Sequence, residues 1–148
     1  MNTITVFDVA GFILNQCKQM SAMKLQKLVY YSQAWSLVWD DAPLFKEQIE
    51  AWSNGPVVRE LYNQHRGQFQ VDSSTFKDFY KNQLSENQKD TIQTVLEAYS
   101  KKSAQWLSDQ THIEQPWINA RAGLPDNIRG TQVITLASMA EYYGSLYQ

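Results

Sequence analysis

Three side chains, Cys17, His65 and His112, could carry nucleophilic, acid–base or metal chemistry. A histidine acts as a general base, and a cysteine as a nucleophile, when a suitable polar group lies within hydrogen-bond reach. Asp109 and Glu114 lie close to His112 in sequence, so a histidine–carboxylate pair is one interpretation. The simpler interpretation is a histidine at a helix C-terminus that bonds the last backbone carbonyls. Because no nucleophile or metal motif accompanies His112, the sequence favours the simpler interpretation.

Cys17 lies on a predicted amphipathic helix beside Ile13 and Met20. A reactive thiol needs an electropositive setting, whereas a buried free cysteine usually fills a core. As the single cysteine it cannot form an intramolecular disulfide, which suits a reducing compartment. Residues 1–19 lack a signal-peptide pattern, and no apolar run approaches the length of a membrane span. We therefore expect a cytoplasmic protein that does not enter a membrane.

The sequence contains none of the short motifs that hold common cofactors. It has no phosphate loop, no G-x-G-x-x-G turn, no H-E-x-x-H helix and no cysteine pair for zinc. We therefore expect no cofactor, no metal and no catalytic residue, and predict that the protein is not an enzyme. A small enzyme that uses His112 is the weakest alternative, because no candidate reaction accompanies it.

Length and composition indicate one globular domain over residues 1–148. Hydrophobic residues make up 43% of the chain and charged residues 19%, which is the composition of a folded protein. The net charge is −2. Nucleic-acid binders draw much of their affinity from phosphate neutralisation and are usually basic. The charge therefore disfavours a nucleic-acid partner.

Capping residues, prolines and apolar periodicity predict a mainly α fold. The expected architecture is a compact bundle of about seven helices. One short two-stranded β element can accompany the bundle, and the candidate strands lie within residues 44–52 and at residues 133–134. The second helix carries large groups on both faces, which is typical of a central helix. The predicted helices are Val6–Lys18, Ser21–Trp39, Pro56–His65, Ser85–Ser100, Ser103–Thr111, Pro116–Ala122 and Ile134–Tyr147.

Three segments in order form a recognisable pattern. The first is Met23-Lys-Leu-Gln-Lys-Leu-Val-Tyr-Tyr31 with Gln33 and Trp35; the second is Pro43-Leu-Phe45, Ile49-Glu-Ala-Trp52, Gly55-Pro-Val-Val58 and Leu61-Tyr62; the third is Leu107-Ser108, Thr111-His112, Pro116-Trp117 and Ala120-Arg121. Together they resemble the Panacea domain of the SocA-like and GepA-like antitoxins, which are often found beside phage genes. The resemblance spans about Ser21 to Arg121.

The resemblance implies an antitoxin of a type II toxin–antitoxin system. Such a protein neutralises a toxin encoded by a neighbouring gene through direct binding, and in the SocA-like case it also delivers the toxin to the ClpXP protease. The residues that match the motifs, and are therefore expected to form the toxin-binding or motif site, are Lys24, Lys27, Tyr30, Tyr31, Trp35, Glu50, Trp52, Gly55, Pro56, Tyr62, Thr111, His112, Trp117 and Arg121.

Several of these residues have two interpretations. Lys24 either stacks on a ring or reaches a buried carboxylate such as Glu50, or it keeps its ammonium in water. Residues 52–56 are expected to form a corner with Trp52 buried beneath it. A second corner is expected around Thr111, His112 and Trp117, with His112 bonded to backbone, and both corners could frame a groove.

The alternative function is that of a DNA-binding transcriptional regulator of its own operon. In that hypothesis the Pro56–His65 helix enters a DNA groove, and Arg59, His65 and Arg66 make the contacts. The acidic charge balance disfavours it.

Overall fold

The computed structural model describes residues 3–147, which contain seven α-helices and five short strands. The helices are α1 (Val6–Cys17), α2 (Ala22–Trp39), α3 (Arg59–His65), α4 (Glu86–Tyr99), α5 (Ala104–His112), α6 (Gln115–Arg121) and α7 (Leu136–Leu146). The strands are β1 (Met20–Ser21), β2 (Ile49–Trp52), β3 (Gly55–Val58), β4 (Gln70–Val71) and β5 (Val133–Ile134), and a single 3₁₀ turn covers Lys77–Phe79.

Most helices begin where the sequence predicts, because their caps are local. Ser21, Ser85 and Ser103 each accept a hydrogen bond from a backbone N–H in the first turn of α2, α4 and α5. Ser85 forms a full capping box with Gln88. The mainly α prediction is therefore confirmed.

Helix α2 is the centre of the domain, as its two bulky faces predict. It packs against α1, α4, α5, α7 and β3. Two buried glutamines of α2 each hold a neighbouring segment, because both the oxygen and the nitrogen of the side-chain amide bond its backbone. The Gln33 amide bonds the backbone of Leu44 and Phe45, and the Gln26 amide bonds both polar groups of Val58. These contacts fix both ends of the segment that contains β2 and β3.

The β content is larger than the predicted two-stranded element. One antiparallel sheet has the order β3-β2-β5, and a separate pair joins β1 to β4. β2 and β3 form a hairpin, Ile49–Val58, in which Trp52 faces Gly55 across a two-residue turn. The sequence allows an extended piece near Phe69 to Val71, which is β4, whereas the two-residue β1 is too short to show a period.

The predicted helix start at Pro56 is wrong. Pro56 lies in β3 opposite Ala51, and α3 begins three residues later at Arg59. Proline suits the first turn of a helix, but it also suits an edge strand, because neither position requires its N–H. β3 is an edge strand of its sheet. Pairing with β2 decided between the two outcomes.

No helix within residues 3–147 is both long enough and apolar enough to span a membrane.

Candidate functional site

The tip of the hairpin, residues 51–55, is held by side chains from α5 and α6. Four consecutive backbone carbonyls, those of residues 51–54, each bond a side chain from the third motif segment. These bonds fix the backbone of the turn on four successive peptide groups. The pairs are Arg121 Nη1 to Ala51 O at 3.0 Å, Trp117 Nε1 to Trp52 O at 2.8 Å, His112 Nε2 to Ser53 O at 2.8 Å and Ser108 Oγ to Asn54 O at 2.7 Å.

His112 bonds backbone with both ring nitrogens, so the prediction of a backbone-bonded histidine is confirmed. Nε2 faces the Ser53 carbonyl and Nδ1 faces the Ser108 carbonyl. A protonated ring can donate to both carbonyls at once, whereas a neutral ring can donate to one. The ring also packs on Trp117 with centroids 4.0 Å apart. This geometry occupies the nitrogens that a general base would need free.

The carboxylates proposed as partners of His112 lie elsewhere. Asp109 accepts a hydrogen bond from Gln105 at 2.8 Å. Glu114 is buried and accepts from two tyrosine hydroxyls, so the histidine–carboxylate interpretation is wrong. Within residues 3–147 no group of three or more His, Cys, Asp or Glu side chains could hold a metal ion.

Arg121 is almost fully buried at 2% exposure, and its acceptors are backbone carbonyls. Besides Ala51, its guanidinium bonds the carbonyls of Pro125 at 2.7 Å and Ile128 at 2.5 Å. It also lies over the Trp117 ring at 5.0 Å. One side chain therefore joins the hairpin to the loop of residues 122–132.

Lys27 lies directly beneath the hairpin tip. Its side chain is 1% exposed, and its Nζ has no hydrogen-bond partner among the residues described. A Cβ built on Gly55 would meet Lys27 Cε at 2.5 Å and Thr111 Oγ1 at 3.0 Å. Gly55 also has a φ of +120°, which disfavours any side chain. Burial lowers the pKa of Lys27 to about 7, because the interior disfavours the charged ammonium.

A second buried cluster lies where α2 meets α7. Glu114 Oε1 accepts hydrogen bonds from the hydroxyls of Tyr31 at 2.8 Å and Tyr143 at 2.7 Å. The Tyr30 hydroxyl lies 3.0 Å from that of Tyr143. Burial is the largest cause that raises the pKa of all three tyrosines, and the nearby Glu114 carboxylate adds to it. These tyrosines are internal, so they can support a binding surface but cannot contact a partner.

Helix α2 carries one more ring cluster. Trp35 stacks on Trp39 with centroids 5.0 Å apart, and its Nε1 donates to the Tyr99 hydroxyl at 3.2 Å. This cluster lies among α2, α4 and α7 and includes no hairpin residue. Trp35 therefore lies away from the hairpin, although it belongs to the same sequence pattern as the hairpin residues.

The outer face of the hairpin consists of Glu50, Trp52, Arg59, Tyr62 and Arg129. β2 alternates, so Ile49 and Ala51 are buried while Glu50 and Trp52 are half-buried on the other side. The prediction that Trp52 is buried beneath the corner is therefore wrong. Its ring packs edge-on against Tyr62 at 4.9 Å and lies near two guanidinium groups, Arg59 at 5.3 Å and Arg129 at 5.9 Å.

Glu50 and Arg59 form the ion pair of this face. Arg59 Nη2 and Nε bond the two Glu50 oxygens at 2.8 and 3.1 Å, and Trp52 Nε1 donates at 2.9 Å. Partial burial favours the neutral carboxyl, but the hydrogen bonds from Arg59 and Trp52 outweigh it and lower the pKa of Glu50. Glu50 therefore pairs with Arg59, and of the alternatives for Lys24 the contact with Glu50 is wrong. Lys24 is half-buried near the start of α2.

The structure does not favour insertion of α3 into DNA. His65 is 2% exposed and bonds the buried Gln26 amide at 3.0 Å. Arg59 is engaged with Glu50, and of the three proposed contact residues Arg66 is the one that is fully on the surface. Helix α3 spans seven residues.

The structure thus brings most of the predicted site residues together at the hairpin. Lys27, Gly55 and Thr111 lie beneath the tip, and His112, Trp117 and Arg121 hold its carbonyls. Sequence reasoning gave no role to Ser108, although it belongs to the third segment. It missed Arg129 altogether, because a lone arginine in a loop carries no pattern.

The comparisons with known proteins give one match. A family model described as "Antitoxin SocA-like, Panacea domain" matches residues 25–118, which include the hairpin, α5 and the start of α6. No curated protein and no solved structure shows significant similarity to the chain. The match covers well over half of the chain and carries most of the three motif segments. The protein therefore belongs to the SocA-like antitoxin family, whose members carry the Panacea domain.

Proposed function

We propose that this protein neutralises a protein toxin by binding it directly. The observation that carries the proposal is that residues of the family's motif meet at one turn of the chain. Side chains of the third segment bond the four consecutive carbonyls of residues 51–54, and Lys27 of the first segment lies beneath the same turn. These residues hold one hairpin in place. The outer face of that hairpin presents aromatic rings and charged groups.

A rigid display favours protein binding for an energetic reason. Association costs several kcal/mol for ordering loops and side chains, and a surface that is already ordered avoids part of that cost. Trp, Tyr and Arg are also the residues that most often dominate protein interfaces. Trp52, Tyr62, Arg59 and Arg129 are of these types and lie together on the outer face.

Co-expression tests the proposal. The product of the adjacent reading frame should arrest growth when it is expressed alone, and this protein should restore growth and co-purify with it as a stable complex. A stable complex of this kind buries on the order of 1,200–2,000 Å². A neighbour that is harmless alone and does not co-purify would refute the function.

The toxin's abundance distinguishes two forms of neutralisation. Masking leaves the toxin level constant while growth is restored. Delivery to a ClpXP-type protease lowers the toxin level, and deletion of the protease then restores both the toxin and the arrest.

A further inference from the structure

We infer that the outer face of the hairpin binds an acidic segment of the toxin, with Arg129 as its anion-binding residue and Trp52 as its ring contact. This inference rests on the proposed function and specifies where, and through which chemistry, the toxin is held.

The charges of the outer face select for an anion. Glu50 is compensated by the two-bond pair with Arg59. Arg129 is exposed and forms no ion pair within the part of the chain that the structure describes. The face therefore carries one uncompensated positive charge on a chain whose net charge is −2. A carboxylate is the complementary group, because a guanidinium can bind it through two parallel N–H donors.

The position of Arg129 is fixed relative to the hairpin by Arg121. That buried guanidinium bonds the carbonyl of Ala51 in β2 and the carbonyl of Ile128, the residue before Arg129. The Arg129 guanidinium in turn lies 5.9 Å from the Trp52 ring. The exposed cation is therefore held beside the hairpin by an internal connection, although it lies in a loop.

Apolar and aromatic groups flank the charge. Val133 is 40% exposed and pairs directly with Glu50 across β2 and β5, so its side chain lies on the same side of the sheet. Trp52 lies two residues beyond Glu50 on the same face of β2, and the Tyr62 ring packs against it. A toxin segment that combines Asp or Glu with large apolar side chains fits this arrangement.

A charge reversal tests the inference against a matched control. R129E should weaken binding of the co-purifying toxin about tenfold or more at low salt, mainly through slower association, and the loss should shrink at high salt. The control is K102E. Lys102 lies in the turn before α5, 4.7 Å from the ring of Trp106 on α5, which is 39% exposed, so it is also a cation beside a tryptophan. Its reversal should change the affinity less than twofold. Circular dichroism and the unfolding midpoint check that both variants are folded.

A second variant identifies the bound group. R129K keeps the charge and supplies an amine that a carbodiimide can couple to a carboxylate in contact with it, with loss of water that the carbodiimide takes up. Mass spectrometry of the complex should then map a cross-link from position 129 to an Asp or Glu of the toxin.

The outcomes separate the two proposals. If the wild-type protein does not bind the neighbour's product, the proposed function and this inference both fail. If the wild type binds but R129E binds equally well, the inference alone fails. It also fails if R129E dissociates a homodimer of the isolated protein, since a second copy would then cover the face. Loss of binding to a duplex oligonucleotide by R129E would overturn it in favour of nucleic acid.

Discussion

Replacing Lys27 with methionine should stabilise the protein at neutral pH. Burial lowers the pKa of this lysine from its ordinary value of 10.5 to about 7. At 1.36 kcal/mol per pH unit, this difference corresponds to about 5 kcal/mol of folding free energy lost at pH 7. Methionine has a similar length and carries no charge, so Lys27→Met should recover up to about that amount.

The size of this stabilisation depends on pH. Between pH 7 and pH 10.5 the unfolded chain binds a proton at Lys27 that the folded chain does not, so the wild type gains stability as pH rises. The advantage of Lys27→Met should therefore shrink by about 1.4 kcal/mol per pH unit over this window. Below pH 7 both states are protonated and the advantage is constant.

Urea unfolding of the wild type and of Lys27→Met at half-unit steps from pH 7.5 to 9.5 measures the gap between their free energies of unfolding. The upper limit lies below the range in which tyrosines of the unfolded chain ionise. Lys24→Met is the matched control, because it makes the same change on the same helix at a half-buried position. A Lys27→Met protein that is less stable than the wild type at pH 7.5, or a gap that does not narrow with pH, would refute the reasoning. The ammonium would then have a polar partner in solution.

Three further predictions concern the hairpin and the tyrosine cluster. Gly55→Ala should destabilise the fold by roughly 2–4 kcal/mol in urea unfolding, since a φ of +120° strains alanine and its Cβ would meet Lys27 Cε; an unchanged midpoint would mean that the turn can relax. Arg121→Met should cost about 3–5 kcal/mol and speed amide exchange in residues 122–132, because three backbone carbonyls lose their donor; retained protection there would show that the loop is held by other contacts. The raised pKa values of Tyr31 and Tyr143 predict that stability falls as pH rises above about 10, because the unfolded chain then releases protons that the folded chain keeps. Absorbance at 295 nm should accordingly show these tyrosines ionising together with unfolding, and ionisation before any loss of structure would contradict their burial.

The sequence by itself determined the features that depend on neighbouring residues. Ser21, Ser85 and Ser103 cap helices because the bonded N–H lies three residues away. The two bulky faces of α2 predicted its central position, and the motif order predicted the family. His112 was predicted to bond backbone, although its distant acceptor, Ser53, could not be named.

Only the tertiary structure decided how the motif residues divide between holding the hairpin and forming its outer face. Pro56 suits a helix start and an edge strand equally well, and pairing with Ala51 chose the strand. Lys24 and Lys27 look alike in sequence, yet Lys27 is the one sealed beneath Gly55. The reason is distance along the chain: Ser108, His112, Trp117 and Arg121 meet carbonyls between 54 and 70 positions away. No local propensity encodes such contacts, because they form only when α5 and α6 have packed beside the hairpin.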